Sequence, residues 1–142
     1  MSNRQNRLLR MVRLREIEHR VAKARAASAE AKVAGLIQID QRLAGLRTGV
    51  SADAGATSGF VLQALSEMGR RLDSARASMI EPIAEASRRR DESQVRRVRA
   101  QQKQDSLTEL HDREAATAAT LSERRADANR PRIKTHSILE AS

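Results

Sequence analysis

The sequence predicts an all-α protein, a long antiparallel two-helix coiled-coil hairpin whose second helix is longer than the first. Phe60 is the only aromatic residue and charged residues make up 32% of the chain. Because aromatic side chains bury the most area per residue, little remains to fill a globular core. Ala, the commonest apolar residue, has the highest helix propensity. Together with Arg, Glu, Leu and Gln it gives the composition of long helices and coiled coils.

The first helix is predicted over about residues 3–47. Its apolar side chains recur at steps of three and four residues, which is typical of a coiled-coil seam. Consecutive four-residue steps around Gly35 predict a local unwinding of the supercoil. The predicted seam consists of Leu14, Ile17, Val21, Ala24, Ser28, Ala31, Gly35, Ile39, Leu43 and Leu46.

A loop is predicted at about residues 48–57, where glycine, serine and threonine are concentrated. The second helix then covers about residues 58–128, with Thr57 or Ser58 as its cap and Phe60 packed back onto the turn. Pro131 ends it, and an irregular tail of residues 129–142 follows. The predicted seam of the second helix is Leu65, Met68, Leu72, Ala75, Met79, Pro82, Ala86, Ala100, Leu107, Leu110, Thr117 and Leu121.

The interior of the second helix is its weakest part. Pro82 removes an amide donor and costs about 3 kcal/mol inside a helix, so the helix is expected to be kinked or broken there. Polar residues occupy the seam between residues 88 and 103, which leaves Val95 and Val98 to carry the local packing.

A loop centred near residue 52 would place Asn3 near Gln102. Residues from about 103 to 128 would then project beyond the N-terminus. They carry an apolar stripe, for which an external partner is expected.

The chain has a net charge of +9, which favours acidic partners such as nucleic acid, anionic lipid or acidic protein. It has no cysteine, no apolar stretch of membrane-spanning length and no apolar run typical of a signal peptide. It also lacks a phosphate-binding glycine loop and the common hydrolase and zinc motifs. His19, His111 and His136 are far apart and are expected at the surface. We therefore expect a non-enzymatic protein without catalytic residues, metal, cofactor or small-molecule substrate.

Two stretches are candidate binding surfaces. The first is a basic amphipathic run that contains Arg4, Arg7 and Arg10 among apolar residues; it is either a solvated helix face or a contact for an acidic partner. The second is the apolar cluster that begins at Phe60 and includes Val61 and Leu65. It either covers the end of the seam or forms an exposed binding site at the tip of the hairpin. Nucleic acid is disfavoured as a partner because stacking aromatic residues are missing.

The pattern resembles the FliJ family of flagellar type III export and its injectisome relatives. The shared features are the basic N-terminal helix, the Gly/Ser-rich turn near one third of the length, the stretch from Phe60 to Leu65 and the alanine-rich segment 110–124. The sequence departs from the family in lacking Trp and Tyr in the second helix and in containing Pro82.

The resemblance implies a cytoplasmic, stalk-like protein that associates with the inner-membrane export apparatus only through its partners. Those partners would be the hexameric export ATPase, the cytoplasmic domain of the export gate and export chaperones. Gate binding would involve Phe60, Val61 and Leu65. Contact with the ATPase ring is expected at Arg4, Arg7, Arg10, Leu107, Leu110, Arg113 and Leu121. Two alternatives are a basic hairpin that binds nucleic acid or the ribosome, and a passive structural spacer.

Overall fold

The computed structural model describes residues 2–53 and 58–132. Two helices, α1 (Asn3–Asp53, 51 residues) and α2 (Gly59–Asn129, 71 residues), account for nearly all of them, and no described residue is in a strand. The helices pack against each other as an antiparallel hairpin. The predicted fold class is therefore confirmed.

Helix α1 begins with a reciprocal cap. The backbone N–H of Gln5 donates to Ser2 Oγ, and the backbone N–H of Ser2 donates to Gln5 Oε1, both at 3.2 Å. These two bonds form a capping box and satisfy donors that the first helical turn leaves free. Helix α2 begins after Ser58, whose side chain makes no capping hydrogen bond. Thr57 lies outside the described residues.

Helix α1 ends at Asp53, six residues beyond the predicted end, so much of the predicted loop is helical. Side-chain hydrogen bonds and one contact with α2 accompany this last part of the helix, which is rich in glycine and serine. Thr48 and Ser51 donate to the carbonyl oxygens of Ala44 and Arg47, and the Arg47 guanidinium donates to Ser51 Oγ at 2.9 Å. Arg47 also forms an ion pair with Asp73 of α2 at 3.0 Å. Tertiary contact therefore outweighs local propensity here.

Four ion pairs between the helices define their alignment. They are Arg4–Glu114, Asp40–Arg76, Arg47–Asp73 and, at 3.9 Å, Arg90–Glu30. The predicted position of Asn3 near Gln102 is wrong, because its neighbour Arg4 lies 2.9 Å from Glu114. The shift is about 13 residues, or roughly 20 Å along the axis at 1.5 Å per residue. Part of it arises because α1 is longer than predicted and the turn lies later in the chain.

The seam of α1 differs from the predicted one. The unexposed residues along one face of α1 recur with an unbroken alternation of three and four residues, with Leu9 and Ala44 half-buried beside that face. The predicted unwinding around Gly35 is therefore wrong. Leu14, Ile17 and Val21 are exposed instead of buried. The observed seam is Gln5, Leu8, Val12, Arg15, His19, Ala22, Ala26, Ala29, Val33, Leu36, Asp40, Leu43, Arg47 and Val50.

In α2 the predicted seam is partly correct. Leu65, Leu72, Ala75, Met79, Ala86, Ala100 and Leu107 are buried or half-buried, as predicted. Most of the other predicted positions are exposed, and the residue after each lies in the seam instead. Gly69 replaces Met68, Ile83 replaces Pro82, His111 replaces Leu110 and Ala118 replaces Thr117. Val95 and Val98 are exposed, so the prediction that they carry the local packing is wrong.

Pro82 lies inside α2, which continues through it without a break. The expected break into two helices is therefore wrong. Met79, Ile83 and Ala86, on both sides of Pro82, remain in the seam, while Pro82 itself is exposed. Packing of this stretch against α1 outweighs the cost of about 3 kcal/mol that a proline imposes on a helix interior.

Among the described residues, neither helix contains an apolar stretch long enough to span a lipid bilayer.

Candidate partner-binding surfaces

The tip of the hairpin exposes an apolar cluster at the start of α2. Phe60 is 83% exposed, and Val61 and Leu62 are also accessible, whereas Leu65 is half-buried in the seam. The predicted packing of Phe60 back onto the turn is therefore wrong. A large aromatic side chain in solvent is costly unless a partner covers it, so the first turn of α2 is a candidate binding surface. We call Phe60, Val61 and Leu62 the tip cluster.

The residues expected to contact an ATPase ring lie mostly at the end of the hairpin opposite the tip cluster. Arg4 pairs with Glu114, which brings the start of α1 to the same level as Arg113 in α2. Arg113 itself pairs with Glu109. Arg7 and Arg10 are exposed, and no carboxylate of residues 2–53 or 58–132 lies within ion-pair distance of them. This end therefore combines free positive charge with nearby apolar side chains.

The observed alignment of the helices covers some apolar residues at this end and leaves others exposed. Leu107 is half-buried against α1, whereas Leu110 and Leu121 are exposed. Ala118 is the last half-buried residue of α2, and residues 119–132 are all exposed. The overhang of α2 therefore begins near residue 119 rather than near the predicted residue 103. Leu121 is its large apolar residue.

A groove along one side of the hairpin is a third surface, which the sequence interpretation did not identify. Two adjoining depressions with volumes of about 340 and 380 Å³ form it, and we call them together the side groove. From α1 it is lined by Met11, Ile17 and Val21, and from α2 by Arg96, Arg99 and Lys103. The signal was present in the sequence, because Ile17 and Val21, which the pattern placed in the seam of α1, line this groove.

Two histidines belong to the seam and not to the surface. His19 is half-buried, and its Nε2 atom is buried without a hydrogen-bond partner among the described residues. His111 is also half-buried, with Nδ1 lying 3.6 Å from an oxygen of Asp112. The expectation of ordinary surface histidines is wrong for both, while His136 lies outside the described residues. No group of three histidine or acidic residues in the described part of the chain is arranged to hold a metal ion.

Arg76 of α2 and Asp40 of α1 form an ion pair between the helices. The guanidinium donates to both carboxylate oxygens of Asp40, at 3.1 and 3.5 Å. This hydrogen bonding, together with the charge of Asp40, raises the pKa of Arg76 above its ordinary value. The contact joins the two helices and so helps to define their alignment.

Comparisons of the chain with protein-family models, with curated proteins and with solved structures gave no match.

Proposed function

We propose that the protein is a non-enzymatic, stalk-like component of a type III protein export apparatus, as the resemblance to the FliJ family implies. The observation that supports this most directly is the unequal hairpin: α2 continues beyond the paired region as a single helix that carries Leu121. A single helix that projects from a basic, two-helix end has the shape required to enter the central opening of a hexameric ring. In this proposal the overhang and the basic residues Arg4, Arg7 and Arg10 contact the export ATPase and promote assembly of its ring.

The tip cluster would serve a different partner. It lies at the far end of a rod, because 51 residues of helix extend for roughly 75 Å at 1.5 Å per residue. A rod with binding surfaces at both ends can connect two components that do not touch each other. We propose that Phe60 and Val61 bind the cytoplasmic domain of the export gate, and that Leu65 supports them from the seam. Export chaperones are the third class of partner that the resemblance implies.

The experiment uses the full chain with the export ATPase and the gate domain encoded in the same genome. Leu121→Glu is expected to reduce stimulation of ATP hydrolysis while leaving gate binding intact, and Phe60→Ala is expected to do the reverse. Both residues are exposed, so neither change should lower the melting temperature. Thr120→Glu, at an exposed neighbour of Leu121, is the matched control for added charge. If the unaltered protein neither stimulates the ATPase nor binds the gate domain, the proposal is wrong.

The unpaired arginines support a second candidate, a basic hairpin that binds nucleic acid. Its affinity should fall steeply with salt concentration, because each phosphate contact releases counterions. Tight, salt-sensitive binding to a duplex, with no effect on the ATPase, would favour this candidate over the export stalk. A passive spacer would bind through neither end.

A further inference from the structure

The side groove brings apolar side chains of α1 beside basic side chains of α2. Met11, Ile17 and Val21 line it from α1 together with Glu18 and Arg25, and Ile17 is 54% exposed. Leu14, which is also 54% exposed, lines neither depression but lies on the same helix face, one turn from Met11. The basic residues of the α2 side are Arg96, Arg99 and Lys103, all of them exposed, and the other residues that line this side are Ser93, Gln102, Ser106 and Leu107.

The spacing along both walls suits a third helix. Met11, Leu14, Glu18, Val21 and Arg25 follow one another at steps of three and four residues, as do Arg96, Arg99 and Lys103. This alternation is the one by which side chains of a coiled coil interlock with a neighbouring helix. The α1 wall extends for roughly 21 Å at 1.5 Å per residue, which is about four helical turns. A helix laid in the groove would complete a three-helix bundle over this part of the rod.

The charges on the walls lack internal compensation. Within residues 2–53 and 58–132, no carboxylate is in ion-pair distance of Arg25, Arg96, Arg99 or Lys103. Glu18 is the one acidic residue that lines the groove, and it is paired with Arg15 at 2.7 Å. The groove therefore presents apolar side chains beside free positive charge.

We propose that the side groove binds an amphipathic helix of a partner protein that carries acidic residues beside its apolar stripe. The apolar stripe would cover Leu14, Ile17 and Val21, and the acidic residues would pair with Arg96, Arg99 and Lys103. A second copy of this chain fits poorly, since it would bring a net charge of +9 and the same basic wall. The inference does not depend on the export function, because it uses neither the tip cluster nor the overhang.

The test uses the full chain and a synthetic helical peptide of about three heptads, with Leu at positions a and d and Glu at positions e and g. Repulsion between the glutamates keeps this peptide from pairing with itself. The control peptide has Lys at e and g. The protein should bind the acidic peptide at least about tenfold more tightly than the basic one, and the preference should weaken with salt.

Paired variants then separate the two walls. Leu14→Gln with Ile17→Gln should reduce affinity for the acidic peptide about tenfold or more, as loss of central apolar anchors usually does. Arg96→Glu with Lys103→Glu should reverse the preference in favour of the basic peptide. The controls are Ile80→Gln and Arg20→Glu, which alter exposed residues that do not line the groove. All four proteins should melt at the temperature of the unaltered chain.

Three outcomes would overturn the proposal. In the first, the acidic peptide does not bind, or binds equally well to the groove variants and the controls. In the second, sedimentation shows a dimer that Leu14→Gln with Ile17→Gln dissociates, so that a second copy occupies the groove. In the third, a nucleic-acid duplex binds in a manner that depends on Arg96 and Lys103 but not on Leu14 and Ile17, which would make the surface a polyanion site.

Discussion

The seam and the side groove lie next to each other on α1, and they differ in the size and polarity of their side chains. The middle of the seam is made of small or polar residues, such as Ala26, which is 1% exposed, and His19. The groove beside it carries larger apolar residues, such as Ile17 and Val21, in contact with solvent. A helix pair chosen only to bury the largest side chains would have done the opposite.

The difference shows that continuity of the repeat decides which face of a long helix is buried. The observed seam keeps its alternation of three and four from Gln5 to Val50 without interruption, and it includes Val33 and Leu43. The face that contains Leu14 and Ile17 loses this alternation near Gly35. A supercoiled pair must keep one face toward its partner along its whole length. Small residues in the middle of the seam also allow the two backbones to approach closely.

The largest expected effect comes from placing a charge in the seam. Ala26→Asp would bury a carboxylate beside α2 without a partner, and we expect it to reduce the free energy of unfolding by about 3 kcal/mol or more. Ala27→Asp is the matched control, because Ala27 is exposed and only the helix propensity changes, by about 0.5 kcal/mol. Urea denaturation followed by circular dichroism measures both. Equal effects of the two substitutions would show that Ala26 does not face α2.

A smaller effect is expected when the same substitution, valine to alanine, is made once in the seam and once in the side groove. Val33→Ala removes two carbons from a side chain that is 2% exposed, and it should cost about 1–2 kcal/mol. Val21→Ala removes the same atoms from a side chain that is 45% exposed, and it should change the free energy of unfolding by less than about 0.5 kcal/mol. If Val21→Ala were the more destabilising, Val21 would lie in the seam, as the sequence pattern suggested.

The fold could be predicted from the sequence because its causes are local. Alanine content, the lack of aromatic residues and the Gly/Ser-rich segment before Phe60 are enough to predict two long helices and a turn. The alignment of the helices could not be predicted in the same way. It depends on where α1 ends, and that end is stabilised by the contact between Arg47 and Asp73, which are distant in sequence. Each residue by which the centre of the turn is displaced changes the pairing of the helices by two residues, so a small error at the turn becomes large along the rod.

The candidate surfaces could be predicted only in part. The pattern around Phe60 indicated an apolar cluster at the tip, and the structure exposes Phe60, Val61 and Leu62 while it keeps Leu65 in the seam. The side groove was missed because two of its apolar residues, Ile17 and Val21, were assigned to the seam. Choosing between two neighbouring faces of one helix requires the partner helix, since both faces show apolar residues at three- and four-residue steps.

The smallest expected effect compares two glycines, one that faces open space and one that lies in the seam. An alanine Cβ at Gly35 would have no atom within 4 Å, so Gly35→Ala should raise the free energy of unfolding by about 0.5–1 kcal/mol through helix propensity alone. At Gly69 the added Cβ would lie 2.8 Å from Arg47 Nη1. Arg47 would have to move, which weakens its contacts with Asp73 and Ser51.

Gly69→Ala should therefore stabilise the protein less than Gly35→Ala does, with a net change near zero. The cause can be isolated with a double-mutant cycle, because in an Arg47→Ala background the steric conflict is gone. In that background Gly69→Ala should recover the gain of about 0.5–1 kcal/mol that helix propensity provides. Equal gains at Gly35 and Gly69 in the unaltered background would show that Arg47 moves without cost. The packing of Arg47 across Gly69 would then contribute nothing to the alignment of the two helices.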